Sequence, residues 1–341
     1  MIKLFAIISF VLLAACSKNN VPAHAASVTA LPLFSEREVN VSTAAQLKTA
    51  LLNAKPGDAI IMADGLYKGK FVIGANVSGS SAKPIILRGS RNAILDAENT
   101  NTGYVLHLQA SYWTLKGFTL TNGLKGLMAD GANYSIIDSL LIHTIGEEGI
   151  HLRKFSSFNT IKQLNIQHIG LKTPDYGEGI YIGSAKSNWA TYSNGLPDKC
   201  DSNLIFNNHI GPGITAECID VKEGTTGGII RGNYFDATGI TGANGGDSWI
   251  DVKGNYTLIE NNTGFNPGGA IFKDGYQVHV AIAGWGNYNE FKNNQCTVNA
   301  AGYGFNIQLS GSNGTTTGNK VYNNNTVSGA AAGISNIALS N

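Results

Sequence analysis

From Val41 onward, short apolar runs alternate with breaks rich in Gly and Asn, and one segment departs from that rhythm. Ser42 and Thr43 precede AAQLKTALLNA, where Ala44, Leu47, Ala50 and Leu51 share one helical face, and Pro56-Gly57-Asp58 closes the run. The spacing predicts a short amphipathic helix within residues 41–54, opened by a Ser/Thr cap. No comparable helix is expected after it. AIIM, FVIG, PIILRG, AILDA and WTLKGFTL have the length and alternation of strands bounded by turns.

The strands also recur. The segments LKGF, IDSL, IKQL, IFNN, IRGN, IENN, FKNN and VYNN align Phe118, Leu140, Leu164, Asn208, Asn233, Asn262, Asn294 and Asn324, at intervals of 22 to 32 residues with a single interval of 44. A strand-only repeat of that length indicates a solenoid. A parallel β-helix is the expectation, its stacked Asn residues forming an internal ladder and its helix covering the first coil. A β-sandwich or propeller is the alternative, although propeller blades favour a steadier period near 40 residues. The 44-residue interval carries an insertion, GSAKSNWATYSNGLPDKCDS, from Gly183 to Ser202. Its Trp189 and Tyr192 are placed either to stack on sugar rings or to pack the loop onto its coil.

A second alignment locates chemistry. Ile150, Ile180, Ile219 and Ile250 occupy one position of successive strands, and the residue two further on is again apolar or aliphatic. With alternation of period two these point inward, so the residues between them point outward. One outward column holds His151, Tyr181, Asp220 and Asp251; its neighbour holds Arg153, Lys222 and Lys253; Glu148, Glu178 and Glu217 lead the strands on the same flank. Glu223, Asp247 and His279 lie near enough in sequence to join the patch. Strands in a sheet are about 4.8 Å apart, close enough for such groups to shift one another's pKa.

Composition sharpens this picture. Only 14% of residues are charged, and 24 basic against 23 acidic residues leave a net charge of +1. The whole chain has no field to draw in nucleic acid, so any anionic ligand must be met by a local cluster. Nucleic acid is therefore not an expected partner, and the chain is expected to be a monomer. Concentrating charge on successive strands of so neutral a chain favours a functional site over a solvated salt-bridge lattice.

The first residues read as an address. Lys3, the apolar run Leu4–Leu13 and then Leu13-Ala14-Ala15-Cys16 resemble the lipobox of a bacterial lipoprotein. That resemblance implies a signal segment over residues 1–16, acylation of Cys16, a tether over 17–40 and a β-helix domain over 41–341. Ser17 resembles a signal for the outer membrane, so the expected location is the cell envelope, with membrane contact only through the lipid. In an oxidising compartment the remaining cysteines suggest a Cys200–Cys218 disulfide with Cys296 as a buried thiol, or three free thiols.

Glu217, then Lys222 five residues later, then RGNYF and Lys253 on the following strand resemble polysaccharide lyase family six, which includes alginate lyases and chondroitin B lyase. The resemblance implies a secreted, single-stranded, right-handed parallel β-helix that cleaves uronic-acid polysaccharides by β-elimination, with calcium as a cofactor in many members. By that match Glu217 corresponds to a calcium-binding glutamate and Lys222 to the lysine base. Lys253 stands where the family has an arginine acting as acid or charge stabiliser. Thr215 replaces a further glutamate ligand, and Lys253-Gly254 replaces an arginine-histidine pair.

The chemistry is consistent with those residue types. β-Elimination removes the C5 proton of a uronate and expels the sugar on C4, so it needs a base, an acid and a cation against the carboxylate. Lys222 is the expected base. Lys253 is the expected acid or neutraliser, with Tyr181 as a substitute acid, and Glu178 joins Glu217 as a candidate calcium ligand. Asp220, Asp251, Arg153, His151, Trp189 and His279 are candidates for binding the sugar or orienting the lysines. Two other readings remain open here: a glycoside hydrolase using paired carboxylates among Asp220, Glu223, Asp247 and Asp251, and a glycan-binding surface protein without turnover.

Overall fold

The computed structural model describes residues 37–341. The signal segment, Cys16 and most of the expected tether lie outside the described residues. The solenoid begins at the strand Arg37–Val41, which pairs in parallel with Asp58–Met62. The domain boundary expected at residue 41 therefore falls at the end of a strand. Val41 itself is buried, while Glu38 and Asn40 face solvent.

The helix spans Ala44–Asn53, with Thr43 as its N-cap accepting from Gln46 N. The Gln46 side chain reaches back to accept from Ser42 N at 2.9 Å, so the free amides of Gln46 and Ser42 are both satisfied at the helix start. Leu47 and Leu51 are fully buried against the strands of the first rung. This covers the apolar end that a solenoid would otherwise leave open.

Each rung contributes one strand to each of three walls, first seen in Asp58–Met62, Gly65–Lys68 and Phe71–Ile73. Among the described residues the walls hold 12, 10 and 10 strands, every neighbouring pair within them parallel. Inward residues such as Ile150, Leu152, Ile180, Ile182, Ile219, Val221, Ile250 and Val252 are all buried and fill a continuous core.

The Asn doublets have a division of labour. Asn207, Asn261 and Asn293 take the left-handed conformation, with φ of 54°, 56° and 52°, at the corner between the first and second walls. Asn tolerates that conformation better than most L-residues, and Gly232 takes it at no steric cost. The second Asn of each pair turns inward: Asn208 donates to Asn233, Asn233 to Asn262 and Asn262 to Asn294, each at 2.9 to 3.0 Å. The ladder ends on Asn325, at 2.9 Å, rather than on the expected Asn324. Asn324 instead accepts from Asn293 N one step out, because the last corner is a residue longer.

Candidate active site

The third wall carries the outward columns in the expected register. His151 pairs with Tyr181, Tyr181 with Asp220, and Asp220 with Asp251. The column continues through Gln277 to Asn306. Beside it, the backbone amides of Lys222, Lys253, His279 and Gln308 bond to carbonyls of the preceding rung, which stacks those four side chains in a second column. The tetrapeptides IDVK, IDVK, YQVH and FNIQ thus occupy one position on successive rungs, and extending the alignment by two rungs would have placed His279, Gln277 and Gln308 from sequence.

Charges alternate along this surface. Asp220 accepts from Lys222 Nζ at 2.5 Å and from Lys253 Nζ at 3.0 Å. Lys253 also reaches Asp251 at 2.6 Å, and His279 Nδ1 donates to the other oxygen of Asp251 at 2.8 Å. Lys222 Nζ stands 4.6 Å from the centre of the Tyr181 ring, which in turn packs on His151 with centroids 4.4 Å apart. Asp220 and Asp251 are buried, whereas the lysine side chains retain 12% and 16% exposure on the outer surface of this wall.

Burial and neighbours set the protonation states. Burial opposes charge on Lys253, but Asp220 and Asp251 outweigh it and hold the ammonium well above the usual lysine range. Asp251 is likewise desolvated, yet Lys253 and His279 keep it below the ordinary carboxylate range. Burial, then Asp220 and Glu178, raise the Tyr181 hydroxyl, which stays protonated at neutral pH. Glu217 is pushed up to about 7, first by burial and then by the Asp220 charge. Glu178 is raised too, by burial and by Glu148, Asp220 and Glu217.

Glu178, Glu217 and Asp220 each bring one carboxylate oxygen within 4.8 Å of the others. Glu178 Oε2 has no hydrogen-bond partner. Three hard oxygen donors, one of them orphaned, fit a divalent cation such as calcium. Thr215 is not part of this set; its hydroxyl donates to Pro174 O at 3.0 Å.

Other expected residues sit apart from the lysine pair. Arg153 forms a two-point pair with Asp130, at 2.5 and 3.2 Å, and its guanidinium lies 4.0 Å from the centre of the Tyr192 ring. Asp130 also holds His107 at 2.9 Å, a network on earlier rungs for which no repeated motif gave a signal. Between Arg153 and Lys222 the column passes through Gly183, at φ +88°, where an added Cβ would come within 2.7 Å of Thr225 Cγ2 and 3.4 Å of Lys222 Cβ. His151 Nε2 lies 3.0 Å from Gly183 O. Glu223 accepts from Lys186 N and anchors the insertion, while Asp247 pairs with Lys273 and Gln277.

Two expectations are corrected. Trp189 is buried and donates to Ser184 O at 2.9 Å, so it packs the insertion onto its own coil and offers no platform to a sugar. Cys200 and Cys218 are free. The 17 residues between them cross the first and second walls, so the two thiols face the core from different corners, Cys200 toward Leu152 O and Cys218 toward Ile210 O. Cys296 is a buried free thiol, as expected.

Residues 34–167 match the family model described as Pel9A-like, right handed beta helix region. An alginate lyase from Paenibacillus sp. str. FPU-7 is 41% identical, with 89% of this chain and 99% of that one covered and a TM-score of 0.82. Pectate lyase Pel9A, at 14% identity, covers 89% of this chain and 79% of its own with a TM-score of 0.64, and the PL6 family alginate lyase AlyGC, at 18%, covers 82% and 42% with 0.53. These two share the fold. No curated protein matches the chain.

The solenoid and the 41% identity over nearly the whole length of the Paenibacillus enzyme together define a polysaccharide lyase. The chain belongs to the parallel β-helix lyase family of the Paenibacillus enzyme.

Proposed function

We propose that the chain depolymerises alginate, or a closely related uronate polymer, by β-elimination, with Lys222 as the base. The observation that carries this reading is the carboxylate of Asp220 shared between Lys222 and Lys253 on the outer face of the third wall. Lys253 is held by two carboxylates and stays cationic, which suits it to face the substrate carboxylate as negative charge builds there. Lys222 contacts only the shared carboxylate, so its Nζ is the less tied of the two and the freer to turn toward C5. Tyr181, protonated and beside Lys222, is placed to give its proton to the departing C4 oxygen. His279 and Asp251 orient Lys253. Arg153, two rungs away, supports the cleft wall against the insertion.

Glu178, Glu217 and Asp220 would hold a calcium ion, which when bound supplies positive charge against a carboxylate. The resemblance of residues 1–16 to a lipobox supports a location on the cell envelope, where a polymer too large to cross a membrane is met outside.

Lys222→Ala tests the assignment. Loss of a general base lowers turnover by about 10²- to 10⁴-fold, and Asp220 keeps Lys253 as its partner, so the fold survives. Cleavage of alginate is followed by the ultraviolet absorbance of the new C4–C5 double bond, with and without chelator. Activity within tenfold of wild type removes Lys222 as the base.

A further inference from the structure

The columns run beyond the lysine pair into an open cavity of about 370 Å³, lined by His279, Asn306, Gln308, Leu309, Ser310 and Asn336. That volume lies in the range of small-molecule sites. One side is built by a feature without parallel in the rest of the described solenoid: Ser310–Gly311 and Gly314–Thr315 pair antiparallel, as a hairpin that leaves the wall just after Gln308.

The lining groups are fixed on one side and free on the other. Gln308 Oε1 accepts from Val280 N, and Asn306 Nδ2 donates to Asp274. Asn336 is tied at both ends to the backbone of Ile307. His279 Nδ1 is occupied by Asp251. Among the described residues, nothing pairs with the remaining His279 Nε2, Gln308 Nε2 or Asn306 Oδ1. The Gln308 amide donor, the Asn306 amide acceptor, His279 Nε2, which accepts in the neutral ring and donates in the charged one, the Ser310 hydroxyl and the exposed side chain of Leu309 remain for a ligand. This is chemistry for a pyranose ring, whose hydroxyls need both kinds of partner and whose C–H face needs an apolar one.

We propose that this cavity is a distal sugar subsite, taking a pyranose unit of the polymer that lies several residues along from the cleaved bond and reading its hydroxyls rather than its charge. The inference rests on the lyase reading above. His279 is two rungs from Lys222 and Gln308 three, about 10 and 14 Å at strand spacing. A sugar in the cavity is therefore not the one that loses its proton.

The test uses oligomers of alginate, two to five sugars long, titrated calorimetrically into Lys222→Ala protein to block turnover. The same background then carries Ser310→Trp, which fills the cavity from an exposed hairpin, or Asn306→Ala. Both changes are expected to weaken binding of the tetramer and pentamer about tenfold, the loss of one or two hydrogen bonds, while the dimer changes less than about twofold. Equal losses at every length, no loss at any length, or no binding of any oligomer would overturn the subsite. An unchanged melting temperature for Ser310→Trp confirms that the fold is intact. Failure of the lyase reading is read separately, as the absence of ultraviolet-absorbing product from wild-type protein.

Discussion

Replacing Glu217 by Gln is expected to make the metal-free protein more stable at neutral and alkaline pH and to leave it unchanged in acid. The carboxyl is buried beside Asp220 and its pKa is pushed up to about 7 from the ordinary glutamate value of 4.5. Below about pH 4.5 the group is protonated whether the chain is folded or not, and it has no effect on the balance. Between 4.5 and 7 the unfolded chain releases the proton while the folded one keeps it, so stability falls as pH rises. Above 7 the cost is complete. A shift of this size corresponds to about 3 kcal/mol, and an uncharged amide of the same shape escapes it. For a domain of about 300 residues, with an unfolding entropy near 2 cal/mol/K per residue, that is about 5 °C in melting temperature. Scanning calorimetry of both proteins in chelator at pH 4 and pH 8 measures the difference. A gain that is the same at both pH values, or a loss at pH 8, would refute the claim that Glu217 is held in the folded site against its preference to ionise.

Two further outcomes follow from the same contacts. Lys253→Met takes a cation from two buried carboxylates, Asp251 keeping only His279 and Asp220 only Lys222, whereas Lys222→Ala takes one contact from Asp220 alone; urea unfolding should show Lys253→Met the less stable of the two by about 1 to 3 kcal/mol, the worth of one hydrogen bond to a charged group. Asn233→Ala deprives the buried Asn208 amides of their acceptor and frees Ile205 O, for an expected loss of about 2 to 4 kcal/mol without change in cleavage specificity. A loss below about 1 kcal/mol would mean that the ladder is not a source of stability.

The parts of this molecule legible in its sequence are those that repeat. Ile219, Val221, Ile250 and Val252 share spacing and burial, so period-two reasoning alone set Asp220 beside Asp251 and Lys222 beside Lys253. The Asn doublets announced their corner for the same reason, until one extra residue moved the final place from Asn324 to Asn325. What sequence reasoning missed depends on where chain segments cross. Cys200 and Cys218 are near in sequence, but a rung of the solenoid separates their corners. Trp189 is aromatic in a polar loop, and only the closure of that loop over Ser184 decides that its ring is spent on packing. The Asp130 network and the cavity hairpin occur once each, and a feature that occurs once gives no period to detect.

Because the reactive side chains come from consecutive turns of a single winding, the enzyme resembles a ruler more than a pocket. Adding or deleting a whole turn far from Lys222 would lengthen or shorten the grip on the polymer and leave the bond-breaking centre untouched. A one-residue slip within a turn would put Val221 or Val252 where a lysine now faces outward. Product length should therefore drift easily through duplication among relatives of this architecture, while the cleavage chemistry stays fixed.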